Sequence, residues 1–430
     1  MNDFPLTTEQ LTTEQLTTDL CRPLNVQFVL TSLPVGGAET LLLNLVRGMD
    51  RQRFSPEVVC LKEAGELGPF VEQTAPLSSH WIKNKWDASV LFRLTGHFRS
   101  RCADAVITVG AGDKMFWGRL AAWRAGVPVI CSAIHSTGWP DGIGKLNRCL
   151  TGITDAFIAV AHNHASFLVQ HEKFPEDRVF MIPNGIDVNR FVPDPTKRRW
   201  LREYLSIPAD APLVGVVAAL RKEKNLTQFI SSASIILQQQ SDVHFVLVGD
   251  GPERITLQQQ VAHSGKANHF HFLGCRNDTE SILAGLDVFC LTSLNEANPV
   301  SILEALACKV PVVSPNIGSI AETVRHGETG FLSDLGCAES TARYALELLR
   351  NPSLANKLGE NGRASVSCRW SLEAMVSGYE SLIETLYNQK LAIKPSTQSQ
   401  NGTKSSSPFL TGLDLDCPHA SNQLSSGNSL

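Results

Sequence analysis

The sequence lacks the marks of several large protein classes. Its 11 cysteines run from Cys21 to Cys417 with no Cys-x-x-Cys pair, and their number is odd. That pattern favours reduced, mostly buried thiols in a cytosolic protein over a disulfide framework. No run approaches the roughly 18–20 apolar residues of a membrane span, and no basic stretch followed by an apolar one opens the chain, so no signal peptide is expected. A formal net charge of −4 gives no electrostatic case for a nucleic-acid partner. The dinucleotide fingerprint G-x-G-x-x-G is absent, and the apolar run Glu57–Leu61 does not end in an acid. Both facts argue against an NAD(P) oxidoreductase. Metal-ligand spacing is missing too: the pairs His162/His164 and His269/His271 have no third ligand nearby, and the only Asp-x-Asp, Asp414 and Asp416, lies in a polar tail. No metal and no cofactor is expected.

What is present is enough apolar residue, 43% of 430 positions, to bury the cores of two or three domains. The first residues, Leu6 to Leu16, repeat a Thr/Gln-rich unit, and the segment from Lys394 to Leu430 is crowded with Ser, Asn, Thr, Gln and Gly. Both are expected to be disordered or weakly structured. Between them, short apolar runs alternate with helical patterns. Candidate strands are Asn25–Leu30, Glu57–Leu61, Ala105–Val109, Val127–Cys131, Ala156–Val160 and Val179–Ile182. After the polar stretch Asp187–Pro212 the series restarts with Leu213–Ala218, Val243–Val248, Phe270–Leu273, Val288–Leu291 and Val310–Ser314. Continuous apolar strands alternating with helices indicate parallel sheets covered on both faces. The fold class is therefore α/β, as two doubly wound Rossmann-like domains facing a cleft. Ligands of such sheets bind beyond the carboxyl ends of the strands.

The segment Thr292-Ser-Leu-Asn-Glu-Ala-Asn-Pro-Val-Ser-Ile-Leu-Glu-Ala-Leu-Ala307 carries the most chemistry. Glu296 lies in a polar turn after an apolar strand, whereas Glu304 lies inside an apolar helix, where a carboxylate without donors costs on the order of several kcal/mol. Asn298 and Pro299 read as the N-cap and first helical residue, leaving the amides of Val300 and Ser301 open at the positive helix end, an anion site. An acid in front, an anion cradle and a second acid further in suit a phosphate flanked by hydroxyl-rich groups, as in a nucleotide-sugar. The glycine turn Pro34-Val-Gly36-Gly37-Ala-Glu-Thr40 also lies at a helix start, although a turn needing glycine for its dihedrals explains it equally well. The cation-rich Ala218-Ala-Leu-Arg221-Lys-Glu-Lys224-Asn225 follows the first strand of the second series. A solvated loop is its ordinary explanation, but its place at a strand end favours a diphosphate, whose departure fixed positive charge assists. Gly249-Asp-Gly-Pro-Glu-Arg254 is read equally as a plain turn or as the rim of this cleft. His135, at a strand end of the first series, can bond a sugar hydroxyl, though a lone histidine is more often structural.

Taken in order and spacing, these residues resemble the retaining GT-B glycosyltransferases, family 4 of the sequence-based classification, known as glycosyl transferases group 1. The resemblance covers roughly residues 24–390 and is strongest from Phe272-Leu-Gly-Cys-Arg276 through Glu296-x7-Glu304 to Pro311-Val-Val313 and Thr329-Gly-Phe-Leu332. Val35–Glu39, Ile182-Pro-Asn-Gly-Ile-Asp187 and Leu247–Pro252 also match. It implies that Glu304 accepts from the ribose diol and that Glu296 contacts the donor sugar, near the backbone of Asn298, Pro299 and Val300. It also implies that Lys224 binds phosphate, Arg276 flanks the base, Gly36 and Gly37 cover the diphosphate, and His135 is an active-site histidine. Three positions depart from the pattern. The usual phosphate arginine is Ala219, with Arg221 as candidate substitute; Gly-Phe after the first glutamate is Ala297-Asn298; and the serine after the sixth strand is Ala161.

The resulting expectation divides the chain into a leader (1–21), an acceptor-side domain (22–190), a nucleotide-sugar domain (191–368), a helix crossing back to the first domain (369–391) and a tail (392–430). The expected activity is metal-independent transfer, with retention, from a nucleoside-diphosphate sugar to a glycan or lipid-linked acceptor in surface polysaccharide biosynthesis. The protein is placed in the cytoplasm. Trp81–Trp86 and Phe92–Arg101 mix aromatic and basic residues, which leaves open a peripheral contact with the inner face of the membrane, although an ordinary amphipathic helix and loop explain them better. Two alternatives remain: a nucleotide-sugar epimerase of the same fold, and a catalytically silent nucleotide-sugar-binding subunit.

Overall fold

The structure, a computed structural model, describes residues 22–84, 87–110, 114–135 and 148–393. The Thr/Gln repeat, the tail from Lys394 with Asp414 and Asp416, and Trp86 lie outside the described residues. The first sheet contains β1 (Leu24–Leu30), β2 (Phe54–Cys60), β3 (Leu77–Ser78), β4 (Ala105–Val109), β5 (Val129–Ala133), β6 (Ala156–Ala159) and β7 (Val179–Met181), in the order β3-β2-β1-β4-β5-β6-β7. The second contains β8 (Leu213–Val217), β9 (His244–Val248), β10 (Phe270–Gly274), β11 (Val288–Cys290), β12 (Val312–Pro315) and β13 (Gly330–Ser333), in the order β10-β9-β8-β11-β12-β13. All strand pairs are parallel. Strands buried on both faces explain the unbroken apolar runs: β4 and β5 are buried at every position.

The order in which the chain adds strands reverses between β1 and β4 in one sheet and between β8 and β11 in the other. These are the two switch points, where loops leaving adjacent strands part and open a crevice. The Gly36–Gly37 turn follows β1, the Lys224 loop follows β8 and the Glu296 loop follows β11. Topology alone thus brings the candidate residues of three loops to crevices at the carboxyl ends of the strands.

The helices Gly37–Gly48 and Leu372–Ile393 bury Leu42, Val46, Met375, Val376 and Tyr379 against one face of the first sheet. Val90–Ser100 and Lys114–Ala125 cover the opposite face through Val90, Leu94, Phe98 and Met115. Each such fully buried aliphatic or aromatic side chain contributes about 1.5–3 kcal/mol. The helix Leu372–Ile393 therefore belongs to the first core although it follows the second sheet in sequence. Its Glu380 accepts from the Asp50 amide at 2.7 Å, and Lys390 pairs with Asp155 at 2.6 Å. The chain crosses between the sheets twice, at Ile186 and at Trp370–Leu372. The crossings run side by side, joined by Ile186 N–H to Trp370 O at 3.0 Å and Leu372 N–H to Ile186 O at 2.9 Å.

Candidate active site

The loop after β8 ends in a single 3-10 turn, Lys222–Lys224, and Asn225 takes a left-handed conformation before the helix Leu226–Gln239. Two bonds stitch this loop to the one after β11. Leu294 N–H donates to Glu223 O at 2.8 Å, and Thr292 Oγ1 donates to Asn225 O at 3.0 Å. Stitching places Lys224 Nζ 2.5 Å from Glu296 Oε1, with Ser293 Oγ donating to the same oxygen at 2.7 Å. Both contacts fall on Oε1, so Oε2 is consumed by neither. Charge-assisted bonds of this kind hold both groups in place. Arg221 is far more exposed, at 60% of its side chain, and pairs loosely with Glu223 at 4.0 Å. It is also near enough to Glu39, on the opposing domain, to favour that residue's ionised form against the burial that raises its pKa.

The Gly249–Arg254 turn packs against the cation loop. Gly249 has φ +127, and a Cβ there would lie 2.0 Å from Ala218 O. The turn braces the cation loop through Leu220 N–H to Asp250 O at 3.0 Å and Glu253 N–H to Leu220 O at 2.9 Å.

The helix after Glu296 spans Val300–Ala307 and has Pro299, not Asn298, at its N-cap, with no side-chain cap. The expected Asn298 cap is corrected by tertiary contacts. Asn184 Nδ2 donates to Asn298 O at 2.9 Å, and Asn298 Nδ2 donates to Thr323 Oγ1 at 3.2 Å, which holds the buried side chain away from the helix start. The helix Gly37–Gly48 also begins without a side-chain cap, at Gly36. A Cβ on Gly37 would meet Val300 Cγ2 at 3.5 Å, so the two helix N-termini meet across the cleft. Each carries roughly half a positive charge, part of it offset at the Gly37 end by the first-turn carboxylate of Glu39, and the juxtaposition favours an anion between them. Neither Gly36 nor Gly37 has a positive φ, so close approach rather than turn geometry suits glycine here.

Behind these N-termini lies a cavity of about 310 Å³ lined by Thr40, Asn44, Arg47, Asp187, Arg190, Val300 and Glu304. Glu304 follows Val300 by one turn and shares its face. It keeps partial exposure where it opens on the cavity, while burial pushes its carboxyl up to about 8; Arg190 opposes the rise and Glu280 adds to it. Arg190 itself donates to Glu280 at 2.8 Å and to Asn277 O at 2.9 Å. Sequence reading missed Arg190, because only the fold carries it from the inter-domain linker to Glu304.

Arg276 lies just past β10, its donors engaged by both oxygens of Asp278 at 2.8 and 2.7 Å and by Tyr204 Oη at 2.9 Å. Three of its five N–H donors are thus taken, and its guanidinium lies 5.1 Å from the centre of the Tyr204 ring. His135 stands apart, beyond β5 in the first sheet. Among the described residues its buried Nδ1 has no hydrogen-bond partner, and burial, helped by His164, lowers its pKa to about 4, so the ring is neutral at physiological pH. Among the described residues no group of three or more His, Cys, Asp or Glu side chains is placed to hold a metal ion.

This arrangement can hold a diphosphate beside Lys224 and a diol at Glu304. Comparison with known proteins identifies the family of the chain. Residues 35–190 match the model described as Glycosyltransferase Family 4, and residues 198–365 that of Glycosyl transferases group 1. N-acetyl-alpha-D-glucosaminyl L-malate synthase of Bacillus anthracis is 30% identical over 59% of this chain and 67% of its own. UDP-Gal:alpha-D-GlcNAc-diphosphoundecaprenol alpha-1,3-galactosyltransferase of Escherichia coli is 25% identical over 77% of this chain and 89% of its own. The crystal structure of Anabaena HepE in complex with UDP-glucose superposes with a TM-score of 0.73 at 23% identity, covering 86% of this chain and 99% of that one, a likeness of fold. The chain belongs to glycosyltransferase family 4, the glycosyl transferases group 1, and has the GT-B fold of two Rossmann-like domains.

Proposed function

We propose that this glycosyltransferase moves a hexosyl group from a nucleoside-diphosphate sugar to a glycan or lipid-linked acceptor, with retention at the anomeric carbon and without a metal, in surface polysaccharide biosynthesis. The observation that carries this reading is the meeting of two uncapped helix N-termini at Gly37 and Val300. With the cations of the loop after β8, these ends neutralise the leaving diphosphate as its charge develops. Glu304 accepts from the ribose diol and Glu296 from the donor sugar. Because Glu296 is held by Lys224 and Ser293, it is an anchored acceptor rather than a free nucleophile. That supports front-face displacement, in which the leaving phosphate takes the acceptor proton.

The E. coli relative's name specifies UDP-Gal and a diphosphoundecaprenol acceptor, which supports a lipid-linked acceptor here and a cytoplasmic site at the membrane's inner face. No helix among the described residues is long and apolar enough to cross a membrane. A surface contact is supported by Phe92 and Trp123, 63% and 58% exposed on the adjoining helices Val90–Ser100 and Lys114–Ala125. Arg124 lies 5.1 Å from the Phe92 ring, and exposed aromatic and basic groups together suit an anionic lipid surface. Trp81 contributes less, since its indole bonds Ser78 and its ring packs on His97.

Incubation with a panel of nucleotide-sugars, with and without lipid extract, tests the reading. Nucleoside diphosphate should be released faster with extract, and labelled sugar should enter the lipid fraction. Epimerised or free sugar with no acceptor dependence would support the epimerase instead, and no release from any donor would support the silent subunit.

A further inference from the structure

The helix His162–Gln170 follows β6 and begins at Ala161, whose methyl group offers its amides no acceptor. Ser, Thr, Asp or Asn ordinarily satisfies amides at such a position. Here the cap comes from the other domain. Glu322 Oε2 accepts from His162 N–H at 2.9 Å and Glu322 Oε1 from Asn163 N–H at 2.7 Å, while Asn163 Nδ2 donates to Gly318 O at 3.3 Å. A carboxylate on two amides at the positive end of a helix is a charge-assisted pair, and cleft opening would break it.

Both ends of this clasp lead to groups of the proposed site. On one side, Gly318 has φ +53 and lies so close to Glu296 that a Cβ there would be 1.8 Å from Glu296 O. The loop before Glu322 is thus seated on the Glu296 backbone. On the other side, the capped helix carries buried His164, whose Nδ1 accepts from Val160 N–H at 3.3 Å. His164 is near enough to His135 to disfavour its protonation.

We propose that Glu322 is a positioning residue: by capping the helix of the opposite domain it clasps the cleft and sets His135 and its acceptor-side surroundings against Glu296 and Lys224. The kinetic half of this inference rests on the transferase reading above, whereas the clasp itself does not. Breaking the clasp should cost nucleotide affinity only the share that the Gly37 helix end supplies, because Lys224, Arg276 and Glu304 all follow strands of the second sheet. It should lower kcat, because the two halves of the site meet less often.

The test compares the full chain with Glu322→Gln, Glu322→Ala and the double variant Ala161→Ser/Glu322→Ala, by small-angle scattering without ligand, nucleotide titration and steady-state kinetics. Serine at 161 restores a cap within the helix but no bond across the cleft. Glu322→Ala should enlarge the radius of gyration and lower kcat about tenfold with a smaller rise in nucleotide Kd. Glu322→Gln, which keeps one acceptor, should fall between. The double variant should regain thermal stability but neither the compact radius nor kcat. A double variant with parental kcat and radius would reduce Glu322 to a helix cap, and a Glu322→Ala protein with parental radius and kcat would likewise overturn the proposal. If the parent released no nucleoside diphosphate from any donor, the transferase reading would fail, and the scattering comparison would decide the clasp alone.

Discussion

Nucleotide binding should be coupled to release of a proton from Glu304. Its carboxyl is pushed up to about 8 by burial, so at pH 7 only about one-tenth is ionised. A diol donates well only to the ionised form, so binding must first remove the proton. UDP affinity should therefore strengthen about tenfold from pH 7 to pH 9 through this group, most of the change falling below pH 8. Glu304→Gln removes the titration. At pH 9 it should bind UDP more weakly by about 1.5–3 kcal/mol, the worth of a charge-assisted bond, and the gap should narrow by about 1.4 kcal/mol at pH 7. Calorimetric titration of both proteins at three pH values isolates the effect, because phosphate ionisation in UDP is common to both. Folding carries the same signature. The unfolded carboxyl loses its proton near its ordinary value of 4.5 and the folded one near 8, so the folded chain holds more protons between them. Glu304 therefore subtracts stability as pH rises through that window, and Glu304→Gln should be the more stable protein at pH 8. Parallel affinity curves for the two proteins would refute the assignment of Glu304 to the diol.

Other variants probe the remaining parts of the site. Lys224→Ala should lower kcat by roughly 10²–10³ with a smaller rise in donor KM, because its interaction grows as the diphosphate departs; a kcat within a few-fold of the parent would return the loop to a solvated surface. Arg221→Ala should cost a comparable factor if that exposed cation replaces the arginine lost at Ala219, as steady-state kinetics with each donor would show. Gly318→Ala should destabilise the fold by about 1–3 kcal/mol in urea unfolding, since the methyl would collide with the Glu296 carbonyl. Donor turnover should survive EDTA; loss restored by Mg²⁺ or Mn²⁺ would refute a diphosphate neutralised only by side chains and helix ends.

Most strands were legible in the sequence because central parallel strands must be apolar on both faces. The two that were not, β3 and β13, lie at sheet edges, where two residues or a Gly-Phe-Leu-Ser segment suffice. The Lys224 and Glu296 loops were legible from their places after β8 and β11, but their pairing over 72 residues was not, since it depends on the Leu294 and Thr292 bonds between loops. Local rules gave Asn298 as a helix cap and lost to Asn184 and Thr323, partners that sequence spacing cannot reveal. Ala161 shows the same limit from the other side: the missing cap is visible in the sequence, whereas its replacement by Glu322 is visible only in the fold.

A structure of the protein crystallised with a non-hydrolysable UDP-sugar tests the central claim most directly. The account predicts the diphosphate between the helix starts at Gly37 and Val300, within reach of Lys224 Nζ. It also predicts the ribose diol on Glu304 and the sugar against Glu296. A nucleotide bound elsewhere, or a diphosphate held by a metal ion with Lys224 still closed on Glu296, would contradict it.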